Sequence, residues 1–148
     1  MNIVNRNAFH DYNIIQTIEC GINLIGAEVK SIKGGRMSLD GAYVKIVGSE
    51  IYLVNAHIYP YPYARPEGYD PKRSRKLLLH KKEIIALKTK MASTSLTLVP
   101  VECYNKDGFI KLKIGLGKGK KEYEKREKIK RRDMERELQR ELRGKKSV

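Results

Sequence analysis

The stretch that most constrains the fold is residues 117–148, GKGKKEYEKREKIKRRDMERELQRELRGKKSV, which hold 14 Lys/Arg against 7 Asp/Glu. This tail carries +7 of the chain's formal +14. From Lys120 to Arg143 it contains no Gly or Pro and is rich in helix formers, yet only Tyr123, Ile129, Met134, Leu138 and Leu142 are apolar. Such a segment can be helical but cannot bury a core of its own. Any core must come from residues 1–116, and 117–148 form a separate basic tail. At about 100° per residue, Lys121, Lys125, Lys128, Arg132, Arg136, Arg140 and Arg143 share roughly a third of the helical circumference. Like charges three and four residues apart repel in an isolated helix, so the stripe calls for a polyanion.

Residues 1–116 are basic as well, with 17 Lys/Arg and 10 Asp/Glu. Positive charge on both parts favours a nucleic-acid partner, because phosphate affinity grows with the counterions a cationic surface releases. A membrane surface or a merely solvated helix are the competing explanations. Cys20 and Cys103 are too few and too far apart for a disulfide framework or a zinc site, and both sit among apolar residues. Buried free thiols in a reducing compartment are expected. The N-terminal MNIVNRNAFHDY lacks the apolar centre of a signal peptide, and no apolar run reaches the length of a membrane span. A cytoplasmic protein that does not engage the membrane, monomeric when free, is the expectation.

Along the chain, residues 12–32 read as two β-rich runs divided near Gly21, followed by a short helix or turn over Arg36 to Gly41. The run AYVKIVGSEIYLV alternates inward Val44 and Ile46 with outward Lys45 and turns at Gly48-Ser49, a hairpin pattern. Four of the five prolines lie between Tyr59 and Pro71, which predicts an extended loop with no ladder. Leu79, Ile84, Leu87 and Met91 have helical spacing and predict a core-packed helix. A second hairpin turns at Asp107-Gly108, with Ile110, Leu112, Ile114 and Leu116 inward and Lys111 and Lys113 outward. The fold class expected is mainly β: a small antiparallel oligonucleotide-binding-like barrel with one or two short helices and a basic, conditionally helical tail.

Catalytic and cofactor patterns are missing. Gly115-Leu116-Gly117-Lys118-Gly119-Lys120 lacks the GKS/T ending of a phosphate loop and reads as a flexible hinge into the tail. There is no G-x-S-x-G, no H-E-x-x-H and no Cys/His grouping at metal-ligand spacing, so neither enzymatic activity nor a metal or cofactor is expected. Tyr59, Tyr61, Tyr63 and Tyr69 interleave with prolines and lead into Lys72, Arg73, Arg75 and Lys76. Such rings can stack on unpaired bases at about 1–3 kcal/mol per base, or they can cap the barrel and pack on proline.

Several strings, spread over almost the whole chain, resemble the small protein B family of SsrA-binding proteins: Asn5-Arg6, His10-Asp11-Tyr12, Glu19-Cys20-Gly21-Ile22, Gly26-Ala27-Glu28-Val29-Lys30-Ser31, His57-Ile58-Tyr59-Pro60-Tyr61, Arg73-Ser74-Arg75-Lys76-Leu77-Leu78-Leu79-His80 and Gly119-Lys120-Lys121. The resemblance implies a barrel that holds the transfer-RNA-like end of transfer-messenger RNA. Its tail, disordered when free, is then implied to become helical in the empty messenger channel of a stalled ribosome, near the small-subunit decoding centre. Barrel positions implied to bind RNA are Asn5, Glu19 and Leu78, with Arg73, Arg75 and Lys76 beside the last, and His10 as a stacking candidate. Asn5 can donate and accept to a base or ribose edge, and the basic trio can fix phosphates. Tail positions implied to meet RNA or ribosome are Lys118, Lys120, Lys121, Tyr123, Glu124, Lys125, Arg126, Lys128, Arg132, Arg136 and Arg140. Glu124-Lys125-Arg126 departs from the family's usual Asp-Lys-Arg by one methylene. A general RNA-binding or structural ribosomal protein, also a basic barrel with a basic tail, is the alternative.

Overall fold

Both predicted hairpins form, and their turn residues explain why. Val47 pairs with Glu50 across Gly48-Ser49, with Gly48 at φ 62°, as a type II′ turn requires. Lys106 pairs with Phe109 across Asp107 and Gly108, at φ 52° and 85°, both left-handed as in type I′. The structure is a computed structural model and describes residues 2–64, 67–120 and 130–140. In chain order the elements are β1 (Asn2–Val4), α1 (Arg6–Asp11), β2 (Tyr12–Ile22), α2 (Gly26–Lys33), β3 (Met37–Ser38), β4 (Tyr43–Val47), β5 (Glu50–Val54), β6 (His57–Ile58), β7 (Arg75–Leu78), α3 (Lys81–Ser93), β8 (Thr97–Lys106) and β9 (Phe109–Gly119). A helix also covers residues 130–140, all of them exposed.

Seven strands make one antiparallel sheet in the order β1-β8-β9-β2-β7-β5-β4, and β3 pairs with β6 in a small ribbon. The sheet curls until β4 approaches β8, but no ladder joins its two ends among the described residues. It is a nearly closed barrel in the oligonucleotide-binding manner. The core fills the concave side: Ile51, Leu53, Leu77, Leu98, Leu112, Ile114 and Leu116 from the strands meet Ile32 of α2 and Ile84 and Leu87 of α3. Cys20 and Cys103 are buried free thiols in this core, and burial pushes each up to about 12.

Three expectations need correction. Residues 26–33 are a helix, so the described residues up to 120 hold three helices rather than one or two. Their β-branched residues suggested a strand, but Glu28, Ser31 and Ile32 bury one helical face, and tertiary burial overrides propensity. β2 runs through Gly21 as one strand, paired there with both Leu78 and Lys111. Finally, Gly115 and Gly117 lie inside β9 rather than at a hinge, and the ladder continues to Gly119, past the boundary expected after Leu116. A Cβ on Gly115 would stand 2.9 Å from Val101 Cγ2, and one on Gly117 2.9 Å from Asn13 O. These glycines allow close approach of neighbouring groups, which a sequence reading cannot tell from flexibility.

Candidate nucleic-acid interface

β7 divides the basic trio that the sequence placed together. Successive strand residues face opposite sides, so Arg75 and Leu77 are buried while Lys76 and Leu78 are exposed. Beneath the strand, Arg75 is 0% exposed. Its Nε and Nη2 donate to Glu28 Oε2 at 2.9 and 2.6 Å, Nη1 donates to Ala56 O at 2.7 Å, and Nη2 reaches Pro71 O at 3.0 Å. Arg73 donates to both oxygens of the same carboxylate, through Nε at 3.2 Å and through a shorter contact from Nη2. Tyr69 Oη lies 3.1 Å from Glu28 Oε2 and 2.9 Å from Ile58 O, and accepts from Arg75 Nη2 at 3.2 Å.

Glu28 is the third residue of α2 and also accepts the Ile25 N–H at 3.1 Å, half of a capping box. Burial pushes its carboxyl up, but the hydrogen bonds from Arg73, Ile25 and Arg75 outweigh that, and the acid is held below its ordinary range. Arg75, expected among the RNA contacts, is thus buried in this structure beneath the strand, on an ion pair with Glu28. Arg73 is half-buried and committed to the same carboxylate.

On the outer side of β7 a cleft of about 650 Å³ brings together Glu19, Gly21, Glu50, Lys76, Leu78, His80, Lys81 and Lys111. Glu19, Lys76 and Leu78 thus share one surface, and Leu78 is 53% exposed. Gly21 lies opposite Leu78, and a Cβ there would come within 3.3 Å of Leu78 Cβ and Cδ1. Leu78 consequently rests on bare backbone. Two carboxylates are built alike. Glu19 accepts from the Tyr104 hydroxyl and from Lys106 Nζ at 3.3 Å. Glu50 accepts from the Tyr52 hydroxyl and from Lys76 Nζ at 3.2 Å.

The Tyr104 hydrogen bond, opposed by desolvation but joined by Lys106 and Lys111, holds Glu19 below the usual carboxylate range, and Tyr52 with Lys76 does the same for Glu50. Both are acceptors at neutral pH. The cleft therefore offers cations for phosphates, an apolar shelf for a base or ribose, and carboxylates for amino or hydroxyl donors. The sequence reading missed Glu50, Tyr52, Tyr104, Lys111 and the role of Gly21. Alternation did place Lys111 outward, but the partners of Glu19 and Glu50 come from strands distant in sequence.

The other expected residues lie elsewhere. Asn5 is 4% exposed; its Nδ2 donates to Pro100 O at 2.8 Å and its backbone N–H to Val101 O at 2.8 Å. It clamps the β8 bulge at Pro100, where proline has no N–H to give, while its Oδ1 is buried without a partner. His10 is partly buried on α1, with Nδ1 2.8 Å from Asp11 Oδ1. Lys120 joins β9 to α1 by donating its N–H to Asp11 O and its Nζ to Phe9 O, each at 2.8 Å. Lys118 is exposed on β9, and Arg132, Arg136 and Arg140 follow one another along one face of helix 130–140. Lys121, Tyr123, Glu124, Lys125, Arg126 and Lys128 lie outside the described residues.

Comparison with known proteins sets this geometry in a lineage. The family pattern described as "SmpB protein" matches residues 2–144. An SsrA-binding protein of Elusimicrobium minutum is 48% identical over 141 residues, covering 95% of this chain and 90% of the relative. The SsrA-binding protein of Enterococcus faecalis is 48% identical over 140 residues, covering 95% and 91%. A solved structure described as "tmRNA-SmpB: a journey to the center of the bacterial ribosome" is similar at TM-score 0.67 and 43% identity, over 82% of this chain and 85% of that one. With the pattern matched nearly end to end and relatives close to half identical, this chain belongs to the SmpB protein family.

Proposed function

We propose that this chain is an RNA-binding adaptor of trans-translation, which binds the transfer-RNA-like part of SsrA RNA and carries it to stalled ribosomes. The observation that carries this reading is the cleft over β7, where Lys76, Lys81 and Lys111 border Leu78 and the ionised Glu19. A surface for phosphate alone would have no use for clamped carboxylates, since they repel phosphates; a surface that also reads donors on bases or ribose does. The relatives' name, SsrA-binding protein, gives the RNA its identity.

The tail supplies the second partner. Its cationic face, continued by Arg132, Arg136 and Arg140 on an exposed helix, suits an RNA-lined channel, and the empty messenger track near the decoding centre is where it acts. Lys76→Ala with Leu78→Ser should weaken binding of the isolated transfer-RNA-like domain at least tenfold while leaving the melting temperature within a few degrees. Removal of residues 122–148 should leave that binding intact and abolish peptide tagging on stalled ribosomes. Unchanged affinity in the first variant removes the cleft from the reading; full tagging by the second removes the tail.

A further inference from the structure

The sequence left open whether the tyrosines interleaved with proline pack inward or face out. They divide. Tyr69 turns in and joins the Glu28 cluster, fixing its loop to α2. Tyr59 and Tyr63 turn out, at 48% and 88% exposed, with Tyr61 partly exposed between them. Pro62 occupies the second position of a turn closed by Ala64 N–H to Tyr61 O at 3.1 Å, where its fixed φ is favoured, and this sets Tyr63 at the tip. Pro60 and Pro62 also bias Tyr59 and Tyr61 toward extended backbone, so the rings are displayed at low entropic cost.

The rings pair off along the loop. Tyr63 meets Tyr61 edge-on with centroids 5.5 Å apart, and Tyr59 lies 4.2 Å from the His57 ring. Lys30 of α2 places Nζ 5.5 Å from the Tyr61 centroid. Tyr59 N–H donates to Arg36 O at 3.1 Å, bringing Arg36 beside the rings. Residues 30–36 contribute exposed Lys30, Lys33 and Arg36 and no carboxylate. The loop itself carries two exposed acids, Glu67 and Asp70, of which Asp70 accepts from Lys72 N–H at 2.9 Å in its own turn.

We propose that Tyr59, Tyr61 and Tyr63, flanked by Lys30, Lys33 and Arg36, are a second RNA-contact face, which stacks unpaired nucleotides and is served from beneath by the buried side of β7. Aromatic rings beside a cluster of cations are the chemistry of sequence-tolerant single-strand binding. Glu28 and Arg75 act here as positioning residues: they hold the loop at Pro71 and through Tyr69 but touch no RNA. The face is distinct from the cleft over Leu78, and the inference rests on the proposed function only in taking the protein to bind RNA.

The test uses the full chain and a ten-nucleotide polyuridine probe. With 9 Tyr and no Trp, the protein's own tyrosine emission reports stacking without a label. The Tyr59→Ala/Tyr61→Ala/Tyr63→Ala variant should lose most of the probe-induced quenching and bind at least tenfold more weakly, since each lost stack costs about 5- to 150-fold. The corresponding triple Phe variant should bind within about twofold of the parent, because the π-faces remain. The Lys76→Ala/Leu78→Ser cleft variant should bind the probe as the parent does even while it loses the transfer-RNA-like domain. Unchanged probe affinity in the triple Ala variant overturns the face. So does failure of Phe to restore binding, and so does an alanine effect confined to protein partners of the ribosome, which would make it a protein-docking surface. Failure of the cleft variant to lose the transfer-RNA-like domain would count against the proposed function and not against this face.

Discussion

Arg75 and Lys76 are adjacent, both cationic, and should fail in opposite ways when changed to methionine. Arg75→Met removes the guanidinium that gives Glu28 Oε2 two hydrogen bonds, takes the Arg75 donor from Ala56 O and leaves Pro71 O with the Ile58 N–H. Glu28 keeps Arg73, but that partner is half-exposed and reaches the carboxylate from its edge. Breaking a fully buried ion pair by deleting one partner costs about 3–5 kcal/mol. For a domain of this size each kcal/mol lowers the melting temperature by about 3–5 °C, so a fall of about 10–20 °C is expected. Lys76→Met loses an exposed pair with Glu50 at 3.2 Å, both side chains nearly half exposed, worth about 0–1 kcal/mol. Its melting temperature should hardly move, while one lost phosphate contact flattens the log affinity against log salt slope for the transfer-RNA-like RNA by about 1. Thermal melts and binding across a salt series, run on both variants, make the comparison. A stable Arg75→Met variant with a flattened salt slope would refute the reasoning, because it would put the Arg75 charge on RNA rather than on Glu28.

Gly21→Ala should push the Leu78 side chain off its shelf, leaving the melting temperature within a few degrees but weakening the transfer-RNA-like RNA several-fold, as read by a binding titration. Gly117→Ala has backbone within 2.9 Å of its new methyl, so it should destabilise by about 1–3 kcal/mol, measurable by urea unfolding, whereas a hinge glycine would tolerate the change. Because Glu28 is held below its ordinary range in the folded state, it contributes stability that is present above its unfolded value and lost as pH falls through its folded one. Acid titration followed by circular dichroism should therefore show the folded state losing stability only below the ordinary glutamate range. Glu28→Gln should flatten that dependence as well as lower stability at neutral pH. Cys20 and Cys103, pushed up to about 12 by burial, should resist alkylation at pH 8 until the protein is unfolded.

What could be read in the sequence was whatever depends on near neighbours. Two-residue turns at Gly48-Ser49 and Asp107-Gly108 carry their own conformational requirement, and the alternation from Ile110 to Leu116 fixes which face is wet. Helix α3 announced itself by spacing, with Ile84 and Leu87 buried as expected. What could not be read depends on distant partners. Glu28 entered the sequence reading only as one letter of a family string, and Arg73 and Arg75, some 45 residues away, make it the centre of a buried cluster. Glu19 was implied to bind RNA by resemblance alone, and the residues that hold it, Tyr104 and Lys106, lie more than 80 residues away. Asn5 suggested a base reader because its amide can do that chemistry; a bulge at Pro100, 95 residues on, uses it instead.

The basic excess of the folded part therefore has two different uses, and β7 separates them. A guanidinium can be buried because its planar fork satisfies a carboxylate and several carbonyls at once, and Arg75 does so under the strand. An ammonium on a flexible stem suits a surface that exchanges partners, and Lys76 above the strand is paired only with a half-exposed Glu50 that a phosphate can replace. Counting both toward the cleft surface overstates the charge it presents in this structure, where Arg75 is buried. It also hides what Arg75 gives to recognition, which is the position of its neighbours: it ties β7 to α2 through Glu28 and to the tyrosine loop through Tyr69 and Pro71. One buried cation thereby sets the place of Leu78 on one side of the strand and of the Tyr59–Tyr63 rings on the other. The exchangeable charge is left to lysines at the cleft and to the exposed arginines of helix 130–140.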